Sequence, residues 1–291
     1  TDQIFSTLIA RERGSSTEIP GLAESWTLSP DGKTYLFKLR RGVRFHTTPW
    51  FKPTRDFNAE DVVFTFTRML DLKHPFQQAY PSISPYMSYM GWDKAVEKVE
   101  RVDEATVRIQ LKMPDAAFLN SLSISFSSIH SAEYAAQLLK EKKPQQIKQL
   151  PVGTGPFIFK SYQKDSVLRL TRNPDYFRRE VPLVENLVFA ITPDSIVRAQ
   201  RLRKNECDIG ALASRADLVE LAKDPNIQLT RTAGLNVGYL AFNTKKPPLD
   251  RLEVRQALEL AIDRRAIVQT VYAGAGQPAA GLMPAASWAH D

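Results

Sequence analysis

Apolar and polar positions alternate from Thr34 to Arg40, with Tyr35, Phe37 and Leu39 on one face and Leu36, Lys38 and Arg40 on the other. That period of two predicts a strand with one face on a core and the other mostly wet. The stretch from Trp26 to Leu28 also suits a strand, and Pro30-Asp31-Gly32 between the two reads as a hairpin turn, with glycine supplying positive φ. Further on, Asn58 is placed to cap a helix, and Asp61 three residues later completes a capping-box-like pair ahead of Val62-Val63-Phe64. The helix is expected to end before Lys73-His74-Pro75, because proline disfavours helix at the residue before it.

A loop rich in Pro, Ser, Tyr and Met runs from Phe76 to Trp92. The segments from Val96 to Val102 and from Thr106 to Leu111 form a second hairpin around Asp103-Glu104. Pro114 opens a helical stretch with Phe118, Leu119 and Leu122 on one face, Ser131 caps the next helix, and Lys140 to Gln149 reads as a polar connector. Gly153 and Gly155 let the backbone bend ahead of a strand from Phe157 to Tyr162, while Pro156 stiffens it.

From Leu187 onward the pattern alternates between strand and helix, which is the mark of an α/β lobe. Thr192 is expected as N-cap with Pro193 in the first helical position, followed by a helix to Arg203. A short strand at Cys207 to Ala211, a helix at Ala216 to Ala222 and a strand at Ile227 to Thr230 come next. The run from Gly234 to Asn243 is apolar on both faces and reads as a central buried strand. Asp250 then caps a long helix whose buried stripe is Val254, Ala257, Leu258, Ala261 and Ile262, resuming at Ile267, Val268 and Val271.

A chain of 291 residues is long enough for two domains, or one with a large insertion. Its 43% hydrophobic and 24% charged residues match a globular protein, and no apolar run approaches the ~18 residues of a membrane span. The opening on Thr1 without a signal segment reads as a processed or trimmed product. The net charge of +7 is spread over pairs such as Arg40-Arg41, Arg178-Arg179 and Arg264-Arg265, with no dense run among exposed aromatics. Solvated faces explain those pairs better than a nucleic-acid site.

Catalytic and cofactor chemistry is not encoded in any recognisable motif. The single Cys207 excludes an internal disulfide and a cysteine-built zinc or iron–sulfur set, and by itself reads as a buried structural thiol. His46, His74, His130 and His290 lack ligand-like spacing, so no metal is expected. Gly274 to Ala279, G-A-G-Q-P-A, superficially matches a dinucleotide fingerprint, but it follows a helix and Pro278 interrupts the next one. No catalytic residues and no cofactor are expected, and an enzyme would need unrelated residues to converge in space.

Four pieces in fixed order carry a resemblance: A-E-S-W, D-G-K-T-Y, L-R-R-G-V-R-F-H and N-A-E-D-V-V-F-T-F. They are joined by G-T-G-P-F, N-P-D-Y-F and I-T-P-D-S-I-V-R-A-Q-R-L-R-K-N-E-C. Together these resemble the family 5 extracellular solute-binding proteins, the peptide-binding receptors of ABC importers, in their dipeptide-binding and Sap-type branches. The resemblance implies an α/β fold: lobe I of a class II periplasmic binding protein carrying an inserted mixed α/β subdomain. It places residues 1–8 and 153–282 in the main core, 9–152 in the insertion and 283–291 at the start of a crossover to a second lobe. It also implies that Cys207 pairs in relatives with a cysteine on a strand upstream of Thr1.

In that family the ligand lies in a cleft between two lobes, bound through main-chain hydrogen bonds and charge pairing at its ends. The groups that pair with the ligand ends are expected mostly in the second lobe or upstream of Thr1. Ser84 to Tyr89, S-P-Y-M-S-Y, resembles the loop of oligopeptide receptors whose second tyrosine faces the cleft, here Tyr89. Packing of the loop by Tyr86, Tyr89 and Trp92 is the alternative reading. Tyr239 and Asn243 are grouped with Tyr89 as ligand-binding candidates because both share one face of the expected strand. The implied partners are a di- or oligopeptide and the membrane permease of an ABC importer, for a monomer that is periplasmic or lipid-anchored on the extracellular face. Haem, a metal complex or an antimicrobial peptide is the alternative ligand.

Overall fold

The computed structural model describes residues 1–291 except 13, 16, 83–84, 212, 231–233, 273, 285–286 and 288–291. The chain divides into two units, Thr1–Ile191 and Thr192–Asp291. Two residues of the sequence reading, Ser84 and His290, lie outside the described residues, as does most of 283–291.

In the first unit, β1 (Ile9–Arg11) pairs with β2 (Glu18–Pro20). The strands β3 (Ala23–Leu28), β4 (Thr34–Leu39), β5 (Val96–Asp103) and β6 (Thr106–Leu111) form an antiparallel sheet in the order β3-β4-β6-β5. Tyr35 lies opposite Ile109 and Phe37 opposite Val107. All four, with Leu39 and Leu111, are buried, so the period of two in β4 is the pleat placing alternate side chains on the core. The β3–β4 turn is closed by the Gly32 amide donating to the Ser29 carbonyl at 2.9 Å, with Gly32 at φ 70°.

The helices of this unit are α1 (Ala59–Leu70), α2 (Pro75–Ala79), α3 (Pro85–Tyr89), α4 (Trp92–Ala95), α5 (Phe118–Ser121), α6 (Ala132–Lys140) and α7 (Gln146–Gln149). The capping box is formed: Asn58 accepts from the Glu60 amide at 2.9 Å, and Asp61 accepts from the Asn58 amide at 3.0 Å. Asp61 is fully buried and also holds Arg55 through two bonds of 2.7 and 3.0 Å, and accepts from the Ala132 amide at 2.8 Å. One carboxylate thereby joins the start of α1 to the start of α6, whose N-cap is Ser131.

A second sheet, β7 (Phe157–Gln163), β8 (Val167–Arg172) and β9 (Asn186–Ala190), is antiparallel in that order. Apolar packing separates into two clusters. The larger takes buried residues from Leu8 to Val152, and the smaller consists of Ile4, Phe157, Phe159 and Leu170.

The second unit holds α8 (Ser195–Arg203), α9 (Arg215–Leu221), α10 (Leu252–Ala261) and α11 (Arg264–Thr270), with no strand among its described residues.

Several local expectations are corrected. The stretch from Phe76 to Trp92 is built largely of α2, α3 and the start of α4 rather than plain loop, and the connector after Lys140 contains α7, anchored by buried Ile147. The helical stretch after Pro114 shrinks to α5 and a 3-10 turn at Ser125–Ser127, although Phe118 and Leu122 are buried as the pattern requires. The N-cap of α8 is Asp194, whose carboxylate accepts from the Val197 amide at 2.9 Å, and not Thr192. The Thr192 hydroxyl is instead taken by Arg201 at 2.8 Å, and a carboxylate is the better acceptor at a helix N-terminus.

At α10 the N-cap is Arg251, not Asp250, and no residue of the helix is buried. Cys207 is half-buried and free. The segments at 207–211, 227–230 and 234–243 form no strand. An extended apolar segment becomes a strand only when a neighbour completes its ladder, and no described residue supplies one here.

Candidate functional site

Helix α3 presents the best-defined part of the candidate site. Met87 anchors it in the core, while Tyr86 and Tyr89, three residues apart and so on one side, are exposed. Their rings meet edge-on at 6.3 Å between centroids, and Tyr89 is 80% exposed. Trp92 belongs to the core instead. It is 1% exposed, donates from Nε1 to Ser121 Oγ at 2.7 Å and packs on Phe66, Phe118 and Phe126. The three aromatics weighed together in the sequence therefore divide: Trp92 holds the loop, and the two tyrosines face outward.

Tyr239 lies in the second unit and is 74% exposed. Asn243 is exposed at a turn, where its side-chain oxygen accepts from the Lys245 amide at 3.1 Å and its carbonyl from the Lys246 amide at 3.1 Å. The shared strand face that grouped these two does not exist, because 234–243 is not laddered.

The first unit also holds a buried polar clasp. His46 is buried, its ring bonded to the backbone of Gly153 and Gly155, and its amide donates to the Gly153 carbonyl at 2.8 Å. Burial pushes the His46 imidazole down to about 4, so the ring is neutral, with its proton on Nε2 facing the Gly155 carbonyl. Asn173 donates to the same carbonyl at 2.9 Å. A Cβ on Gly153 would stand 2.0 Å from the Ile4 carbonyl oxygen, so the G-T-G turn and the N-terminal segment are in backbone contact.

His74 accepts at Nδ1 from the Phe76 amide and so caps α2. His130 packs on Phe5 with the rings tilted and their centroids 4.8 Å apart, and burial, then Arg68 and Lys148, hold its proton affinity well below the usual imidazole range. Arg68 is buried between the rings of Phe64 and Phe76, at 5.6 and 5.8 Å, and burial lowers its guanidinium to about 10. Among the described residues no group of His, Cys, Asp or Glu is placed to hold a metal, and no helix is long and apolar enough to cross a membrane.

The chain belongs to the bacterial extracellular solute-binding proteins, family 5, whose model matches residues 17–291. It is 52% identical over 290 residues to di/tripeptide-binding protein 1 of Pseudomonas aeruginosa (strain UCBPP-PA14), covering 100% of this chain and 54% of that relative. It is 44% identical over 291 residues to haem-binding protein A of Haemophilus influenzae, covering 100% of this chain and 53% of that relative. Among solved structures, the dipeptide-binding protein of Pseudoalteromonas sp. SM9913 in complex with Met-Leu superposes with a TM-score of 0.91 at 41% identity. That superposition covers 100% of this chain and 57% of the other. The α/β fold is thus that of the periplasmic binding proteins of this family, and the chain spans about half the length of the relatives it matches.

Proposed function

We propose that this sequence forms part of a substrate-binding receptor of an ABC importer whose ligands are di- or tripeptides. The observation that carries the reading is 52% identity, sustained over the whole chain, to a di/tripeptide-binding protein. The likeness to a receptor holding Met-Leu supports the same ligand class. In this reading residues 1–8 and 153–282 form the main core of one lobe, 9–152 an inserted subdomain and 283–291 a crossover. Ile4 packs with Phe157, Phe159 and Leu170 apart from the cluster that runs from Leu8 to Val152, which supports a division near those two residues, with Leu8 itself on the insertion side. Tyr89, Tyr239 and Asn243 contact ligand, a role supported by the outward placement of all three. The receptor is a monomer outside the cytoplasmic membrane that delivers peptide to its permease, with no catalytic role and no nucleic-acid partner.

Haem is the second reading, favoured by 44% identity to a haem-binding protein. Calorimetric titration of the receptor containing this sequence with Met-Leu and with haemin separates the two. The peptide reading expects saturable Met-Leu binding, weakened by about 1–3 kcal/mol in each of Tyr89→Ala and Tyr239→Ala, as for contact aromatics at a binding surface. Saturable binding of haemin alone overturns it. Met-Leu binding unchanged by either substitution removes that residue from the site.

A further inference from the structure

Five arginines converge on one open cavity of about 710 Å³ in the first unit. Arg40, Arg41 and Arg44 come from the end of β4 and the loop after it, and Arg172 and Arg179 from the end of β8 and the turn that follows. Only two carboxylates, Glu24 and Asp175, line the same space. In the sequence Arg40, Arg41 and Arg44 lie well over a hundred residues before Arg172 and Arg179, and the fold brings the two groups together.

Three of the five are partly committed. Arg40 approaches Glu24 at 3.8 Å, Arg44 approaches Asp56 at 3.5 Å and Arg172 approaches Glu185 at 3.2 Å. Arg41 and Arg179 are exposed and make no ion pair among the described residues. The wall carrying Arg172 and Arg179 is held in place. Asn173 is buried and bonded to the Gly155 carbonyl at 2.9 Å, the Asp175 amide is bonded to Asn173 at 3.1 Å, and the Phe177 ring lies between the guanidinium groups of Arg40 and Arg178 at 5.2 and 5.7 Å. Guanidinium forks on a fixed frame match the paired oxygens of an oxyanion. Arg179 and Arg41, the latter also acting at longer range on the Asp103 carboxylate, have no close carboxylate partner, and beside three shared forks they suit a ligand carrying more than one negative charge.

We propose that this cavity is a binding site for a phosphate-bearing anion, recognised by Arg41 and Arg179; its lining includes none of the three residues assigned above to peptide. A soluble polyphosphate and an anionic lipid headgroup present the same chemistry, and two arms of one experiment distinguish them.

Inorganic pyrophosphate is titrated into the receptor containing this sequence by calorimetry at low ionic strength, and sedimentation with phosphatidylglycerol vesicles is compared with phosphatidylcholine vesicles. Saturable pyrophosphate binding is expected, weakened about tenfold or more in Arg41→Ala and in Arg179→Ala, as for loss of one charge-assisted contact. Asp175→Asn, which removes a competing carboxylate, tightens binding. Lys112→Ala makes the same change of charge at the residue after β6, outside the cavity lining, and leaves binding unchanged. Binding to phosphatidylglycerol vesicles that Arg179→Ala abolishes assigns the site to a headgroup; pyrophosphate binding without vesicle binding assigns it to a soluble anion. No saturable pyrophosphate binding in the millimolar range, or an equal loss in Lys112→Ala, overturns the site. Circular dichroism of each variant keeps a folding defect from being read as lost binding.

Discussion

His46 donates from Nε2 to the Gly155 carbonyl at 2.9 Å and accepts at Nδ1 from the Gly153 amide at 3.4 Å. The two bonds require the neutral ring, because an imidazolium has no acceptor. The clasp therefore has a pH limit. The folded His46 titrates at about 4, below its ordinary 6.5, so the unfolded chain takes up the proton first as pH falls. Stability is fully present above 6.5 and is lost between 6.5 and 4, with little further change below. His46 alone accounts for about 3 kcal/mol across that window. His74 and His130 are shifted in the same direction and steepen the loss. Urea midpoints measured from pH 7 to pH 4 should fall steadily, and His46→Gln should give the shallower slope. Equal slopes would show that the ring protonates without opening the clasp.

Gly153 meets the Ile4 carbonyl so closely that a methyl group has no room. Gly153→Ala is expected to cost about 3 kcal/mol, the upper part of the range for overpacking a filled site. Residues 1–4 should then lose protection in amide hydrogen exchange before the rest of the first unit does. A variant with wild-type stability and an unchanged exchange pattern would contradict this.

Asp61 joins Arg55 to the starts of α1 and α6 through one buried carboxylate. Asp61→Asn keeps the volume but leaves Arg55 without its two-bond partner and weakens the capping of α1. Removing one member of a buried pair costs about 3–5 kcal/mol, and Arg55 keeps some contact with water, so about 3 kcal/mol is expected. A loss below about 1 kcal/mol in denaturant unfolding would mean that water replaces the carboxylate.

Local chemistry made β3, β4, α1, β5 and β6 legible from sequence. Alternation, a glycine turn and a capping pair act over a few residues and need no distant partner. The family was legible for the same reason, since its motifs are short and lie in order along the chain. Tyr86, Tyr89 and Trp92 share one loop composition, and only packing decided that Trp92 enters the core while the tyrosines stay outside. Nor does local pattern reveal that His46, Asn173, Gly153 and Gly155 meet in one clasp, because up to 127 residues separate them.

The second unit marks the other boundary. The apolar pattern of 234–243 is that of a buried strand, yet the segment is neither laddered nor buried. Hydrophobicity and periodicity state what a segment would bury if it were covered. Strand identity and burial belong to pairs of segments, so they are decided by tertiary structure.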